Sequence, residues 1–238
     1  MILTSSCDMS KPSFEILIPL ADDAAFTADV HLRAMADDTL TRAQFPSPEA
    51  LDFFRQWLTK NTLEHIWHSD KGVLIARNPA TGELASFIKW LEYGPGGEVD
   101  LASAATTLED EWPESCGRSI LDEYRSIAAG IRRRILGRQG YFHVTYLCTD
   151  PKWGRRGAAS ALLRELEHMA DDAGKAIVLE SVVSAVPLYK RLGFETRQVL
   201  QMVLPSPGST ERTERYSEQT MVWTPASLDS ALEAQAQC

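Results

Sequence analysis

Cysteine is scarce in this chain: Cys7, Cys116, Cys148 and Cys238 are the four in 238 residues. They form no CxxC pair, so neither a zinc site nor a disulfide framework is indicated, and a reducing compartment fits best. No apolar run approaches the roughly 18 residues of a membrane span, and the opening MILTSSCDMSKPSFEILIPL has no basic leader with a long apolar stretch and a small-residue cleavage site. A cytoplasmic protein without a membrane partner is expected. Basic residues are in deficit, 24 Lys and Arg against 33 Asp and Glu, for a net charge of -9. That balance argues against a nucleic-acid face and weakly favours cationic partners. Two phosphate motifs are also missing. There is no GxxxxGK[ST] and no GxGxxG followed by an acidic residue, which disfavours P-loop nucleoside triphosphatases and nicotinamide enzymes. No metal site is expected.

Hydrophobic residues at 44% and charged residues at 24% are ordinary globular usage. No repeat or low-complexity linker divides the chain, so residues 1–238 are expected to form one domain. FEILIPL, Phe14 to Leu20, reads as a first strand, followed by a helix over Asp22 to Asp38. A second helix starts where Ser47 caps and Pro48 occupies the first turn. Its Phe54, Trp57 and Leu58 recur at helical spacing and are expected in the core. KGVLIARNPATGELASFIKWLEY reads as an antiparallel hairpin turning at Asn78 to Glu83. Residues 94–140 read as an inserted lobe ending in a helix with an apolar stripe of Ile120, Tyr124, Ile127, Ile131 and Ile135. Its Arg132, Arg133 and Arg134 are expected on a solvated face, with the ribose phosphate of a coenzyme as a lesser alternative. Trp90 and Trp112 are expected in packing rather than around a ligand. YFHVTYLCT, Tyr141 to Thr149, is a fourth strand and AIVLESV a fifth, with an amphipathic helix between them. AVPLYKRLGFE is a short helix, TRQVLQMVLP and RYSEQTMVW a final antiparallel pair, and a loose tail begins near residue 226. The result is a mixed, mostly antiparallel α/β sheet with one parallel crossover.

The stretch TDPKWGRRGAASALL, Thr149 to Leu163, sets bare backbone and positive charge at the start of a helix. The first N–H groups of a helix lack partners and carry the positive end of its dipole. Gly154 and Gly157 have no Cβ to hold an anion away, and Ala158 and Ala159 are nearly as permissive. Arg155 and Arg156 add charge at the rim. This pattern suits a pyrophosphate.

With YLCTDP before it, and IVLES and VPLYKRLGFE after it, the stretch resembles the GNAT acyl-CoA N-acyltransferase superfamily, particularly its small fungal members. The family signature falls on Gly154 to Ala159, with Gly154 standing where a glutamine or arginine is usual. The matched part runs from about Tyr141 to Glu195. The resemblance implies a GNAT fold, with the sheet splayed between its fourth and fifth strands and helices flanking it. It implies acetyl-CoA as co-substrate, its pantetheine along Leu147, Cys148 and Thr149, and its pyrophosphate over Gly154, Arg155, Arg156, Gly157, Ala158, Ala159 and Ser160. A backbone N–H near Leu147 would bind the carbonyl oxygen, and Tyr189 would protonate the leaving thiolate. The expected reaction is direct acetyl transfer to a primary amine, more readily of a small molecule than of a protein. Another acyl donor, a hydroxyl acceptor or a coenzyme-binding domain without catalysis are the alternatives. For the base, Glu180 is the first candidate, because it shares a strand face with Val178 and Val182. His143 is the second.

Overall fold

The computed structural model describes residues 14–96, 112–206, 209, 211–226 and 228. In chain order it comprises β1 (Glu15–Leu17), α1 (Ala24–Ala34), α2 (Thr39–Gln44), α3 (Pro48–Trp67), β2 (Lys71–Arg77), β3 (Leu84–Tyr93), α4 (Arg118–Leu136), β4 (Tyr141–Thr149), α5 (Ala158–Asp172), β5 (Ala176–Val182), α6 (Val186–Arg191), β6 (Glu195–Pro205) and β7 (Arg212–Trp223). The strands form one seven-stranded sheet in the order β1-β2-β3-β4-β5-β7-β6. Only the β4–β5 pair is parallel.

The helix expected over Asp22 to Asp38 is α1, Ala24–Ala34, and a further short helix that the sequence reading did not call, α2, follows it. Asp38 leaves the helical region at ψ 126 and its side chain accepts the Thr41 N–H, so it starts α2 instead of continuing α1. The first strand is shorter than expected, Glu15–Leu17, and gives way to a 3-10 turn at Ala21–Asp23. Ser47 caps α3 through its bond from the Ala50 N–H, with Pro48 in the first turn, as the sequence indicates. The hairpin, β4, β5 and the final strand pair also form where the alternation of side chains put them.

One face of the sheet is covered by α5, whose Ala158, Leu162, Leu163, Leu166 and Ala170 pack on Leu74, Ile88, Trp90, Phe142, Val144, Ile177 and Leu179. The other face carries α1 and α3 over the half containing β2 to β4, and α4 over the half containing β5 to β7. Residues 97–111 of the expected inserted lobe lie outside the described residues, as does most of the tail from 227. The described part of that lobe includes α4, which lies on β6 and β7 through Ile120, Tyr124, Ile127 and Ile131. Trp90 packs in the α5 core and Trp112 against Phe45, Phe53 and Trp57. Among the described residues, no helix is long and apolar enough to cross a membrane.

The run Arg132 to Arg134 does not share one solvated face. Arg133 and Arg134 are exposed, whereas Arg132 is 9% exposed and bonds to Glu180. Helical spacing explains the correction, since Tyr124, Ala128 and Arg132 recur every four residues and line the ridge that faces the sheet.

Candidate functional site

The site begins with a register shift. Lys89 of β3 pairs with Tyr146 while Trp90 pairs with Val144, so Thr145 bulges without a partner. The parallel ladder to β5 stops at the same place, its last pair being Val144 with Leu179. A bulge bends its strand and ends pairing. From Thr145 to Thr149, β4 is therefore bonded to β3 alone, while Glu180 to Val182 of β5 bond only to β7. The sheet opens here, and the β4 edge along Leu147, Cys148 and Thr149 has no strand paired on its β5 side, where an extended ligand could add.

At the end of β4, Asp150 is 3% exposed, accepts the Lys152 N–H at 3.0 Å and pairs with Arg33 of α1 at 2.8 Å. Trp153 closes the turn Pro151–Trp153 by packing edge-on against Phe14. The chain then runs through alternating handedness: Gly154 at φ -55, Arg155 at φ 59 and Gly157 at φ 97. Arg155 is the only non-glycine residue at positive φ among the described residues. Such a conformation persists where the surroundings hold it, and residues of alternating hand set successive N–H groups around one concavity. No side chain caps α5, and its first bond runs from the Ala161 N–H to the Gly157 carbonyl. Among the described residues, no protein acceptor reaches the N–H groups of Arg155 through Ser160. Ala158 is nevertheless buried, and Ala159 and Ser160 are half-buried. Unpaired buried N–H groups at a helix start fit an anion. Gly154 has an ordinary φ, but a Cβ there would lie 3.2 Å from the Pro151 carbonyl oxygen, a tight approach that a glycine avoids. Arg156 lies over the Trp153 ring at 5.0 Å, and Arg155 is exposed at the rim.

Tyr189 projects from α6 and is 7% exposed, edge-on to Phe194. Burial, and then the charges of Cys148 and Glu218, push its hydroxyl well above the usual phenol range. It stays protonated at neutral pH, and among the described residues its oxygen has no hydrogen-bond partner. It packs in the same core cluster as Trp153, Val186 and Phe194, with Leu147 of β4 against that cluster.

On the α4 side, Glu180 accepts from Arg132 at 2.9 Å and from His143 Nε2 at 2.9 Å. Burial alone would raise the carboxyl, but His143 and Arg132 outweigh it and hold it down to about 2. Burial, and then Arg132, lower His143 below its ordinary value. At neutral pH the imidazole is thus a neutral donor, and Arg132 supplies the charge. Glu180 is a weak proton acceptor in this setting, so its surroundings favour a structural role over the basic one expected. His143 Nδ1 is buried without a partner.

Alternation along β7 puts Tyr216, Glu218 and Thr220 on the same face as Glu180, with Thr220 directly opposite Glu180. Glu218 is 6% exposed and accepts from Tyr124 and Tyr216, each at 2.7 Å. Sequence reading passed over this carboxylate, although the alternation that singled out Glu180 applies equally to RYSEQTMVW.

Residues 113–202 match the acetyltransferase (GNAT) domain model. The chain is 39% identical over 54 residues to the L-amino acid N-acetyltransferase AaaT of Escherichia coli, 21% of this chain and 33% of that protein. The match thus spans a third of the relative's length. Arylalkylamine N-acetyltransferase 2 from Aedes aegypti is similar in structure, with a TM-score of 0.62 at 15% identity over 89% of this chain and 98% of that one. Polyamine N-acetyltransferase of Drosophila melanogaster, described as forming N-acetylagmatine, gives a TM-score of 0.59 at 18% identity over 89% and 99%. These likenesses show the GNAT fold.

Proposed function

We propose that this chain, which has the GNAT fold and matches the GNAT acetyltransferase domain model over residues 113–202, is an N-acetyltransferase that moves an acetyl group from acetyl-CoA to a primary amine of a small molecule. The observation that carries this reading is the loop from Arg155 to Ser160, whose N–H groups have no protein acceptor among the described residues while β4 beside it has no strand paired on its β5 side. The residues present fit the coenzyme. The N–H groups of Arg155 through Ser160 hold the pyrophosphate, the Gly154 N–H being bonded to the Pro151 carbonyl, with Arg155 and Arg156 at the rim, and Leu147, Cys148 and Thr149 pair with the pantetheine arm. Bound there, acetyl-CoA supplies an activated acyl thioester.

The chain's own groups do the rest. A backbone N–H near Leu147 stabilises negative charge that develops on the carbonyl oxygen, a task suited to a fixed donor in a water-poor cleft. Tyr189, protonated and unpartnered, donates to the departing sulfur. Glu180 and Arg132 fix His143 and the lower end of the opening. The net charge of -9 favours a cationic acceptor, and both small-amine enzymes named above are similar in fold.

Tyr189→Phe tests the assignment of the acid. Loss of one positioned proton donor is expected to lower kcat about 100-fold, with the fold and coenzyme affinity retained. Steady-state acetylation measured beside an acetyl-CoA melting shift reports both quantities, and an unchanged kcat would remove Tyr189 from catalysis.

A further inference from the structure

Two carboxylates, Glu180 and Glu218, are buried on one face of the sheet, and only one of them has a cation. Glu180 has Arg132, whereas among the described residues no Lys, Arg or His is within bonding reach of Glu218. A buried anion without a counter-charge is unfavourable unless it is protonated or a cation arrives. The groups facing it are Tyr124 from α4, Tyr216 on β7, Glu180 on β5 with its Arg132, and Asp38 at the start of α2. Burial first, then Glu180 and Asp38, push its carboxyl up to about 7 against the two tyrosine hydrogen bonds.

Two further observations point to something that binds beside it. Thr220 Oγ1, on the same strand face, is fully buried and has no partner, and His143 Nδ1 is likewise orphaned. Such groups in a native protein call for a water or a ligand. The location fits the chemistry as well. Val182, opposite Glu218, belongs to the part of β5 that has left β4. Leu40 of α2 packs with Tyr216, two residues before Glu218 on the same strand face, which brings α2 to this part of β7.

We propose that Glu218, held by Tyr124 and Tyr216 at the opening of the sheet, receives the ammonium group of the acceptor and takes its proton. The proposal rests on the acyltransferase reading and specifies its acceptor as a primary alkylammonium. The Glu218 carboxylate accepts one proton from R–NH3+, freeing the nitrogen lone pair. That pair forms the C–N bond at the thioester carbonyl, and the C–S bond then breaks with its electrons on sulfur. Sulfur takes the Tyr189 proton, the nitrogen returns its surplus proton to the Tyr189 oxygen, and the proton on Glu218 leaves to solvent.

The test compares wild type, Glu218→Gln and Tyr124→Phe by melting with coenzyme A alone, by melting with coenzyme A plus agmatine or phenethylamine, and by acetyl transfer to the same amines across pH. Glu218→Gln is expected to keep the coenzyme shift, lose the added shift from the amine, and lose about 100-fold in kcat/KM at pH 7. The wild-type profile should rise through an acid limb near pH 7 that the residual activity of Glu218→Gln lacks. Tyr124→Phe, which removes a donor to the carboxylate, should move that limb to higher pH. Stability should respond in the opposite sense to activity. A carboxyl with a raised folded pKa contributes below its unfolded pKa of about 4.5, and that contribution is lost as pH rises through about 7. Glu218→Gln should therefore melt above wild type at pH 8, with the gap closing toward pH 5. If Glu218→Gln keeps both the amine shift and the acid limb, the proposal is overturned while the acyltransferase reading stands. If wild type binds coenzyme A but neither binds nor acetylates either amine, both are overturned.

Discussion

Gly157→Asp is expected to abolish stabilisation by acetyl-CoA while leaving a folded protein. Gly157 has φ 97 and begins α5, and an added Cβ would meet no atom within 4 Å. A side chain therefore fits sterically, but the backbone becomes strained by about 1–3 kcal/mol, and a carboxylate enters the ring of N–H groups meant for an anion. In wild type, coenzyme at about a hundred times its dissociation constant adds roughly 2.7 kcal/mol, which is about 5–11 °C of melting temperature for a chain of this size. That entire shift should vanish in Gly157→Asp. Gly157→Ala, which carries the strain without the charge, should retain part of it. A full shift in Gly157→Asp would remove the loop from coenzyme binding.

Arg132→Met is expected to be the most damaging change away from the loop. It leaves Glu180 buried with only a neutral histidine beside it, a situation that costs about 3–5 kcal/mol, or roughly 6–20 °C in melting temperature. The double variant Arg132→Met with Glu180→Gln should recover much of the loss. The pH dependence has a definite sign. The folded pKa of Glu180 is depressed to about 2 from an unfolded value of 4.5, so its contribution is present above about pH 4.5 and is lost as pH falls toward 2. The gap between wild type and Arg132→Met should accordingly narrow on acidification below about pH 4.5. Melts of the two proteins between pH 3 and 7 measure it, and equal melting temperatures at pH 7 would show the pair to be energetically idle.

What could be read from the sequence was local. The loop from Gly154 to Gly157, β4, β5 and α5 follow from glycine placement, alternation and helical period within a few residues of one another, and the structure has the loop and these elements where those patterns lie. The splay was reachable only through family resemblance, because it depends on a one-residue register shift between β3 and β4 at Thr145, and no local pattern announces it. The role of Arg132 was misread because three consecutive arginines look like one surface feature, and its partner Glu180 is 48 residues away. Glu218 was missed for a related reason: its unusual state arises from Tyr124 in α4, Asp38 before α2 and Glu180 in β5, all remote in sequence.

The central claim is that this chain joins an acyl thioester to an amine at the opening between β4 and β5. Its most direct test is release of free thiol from acetyl-CoA by the purified protein, with and without agmatine or phenethylamine, and with the product analysed by mass. The expected result is thiol release that requires the amine and matches it one for one as the N-acetyl product. Coenzyme binding without amine-dependent release, or release that proceeds equally without amine, would contradict it.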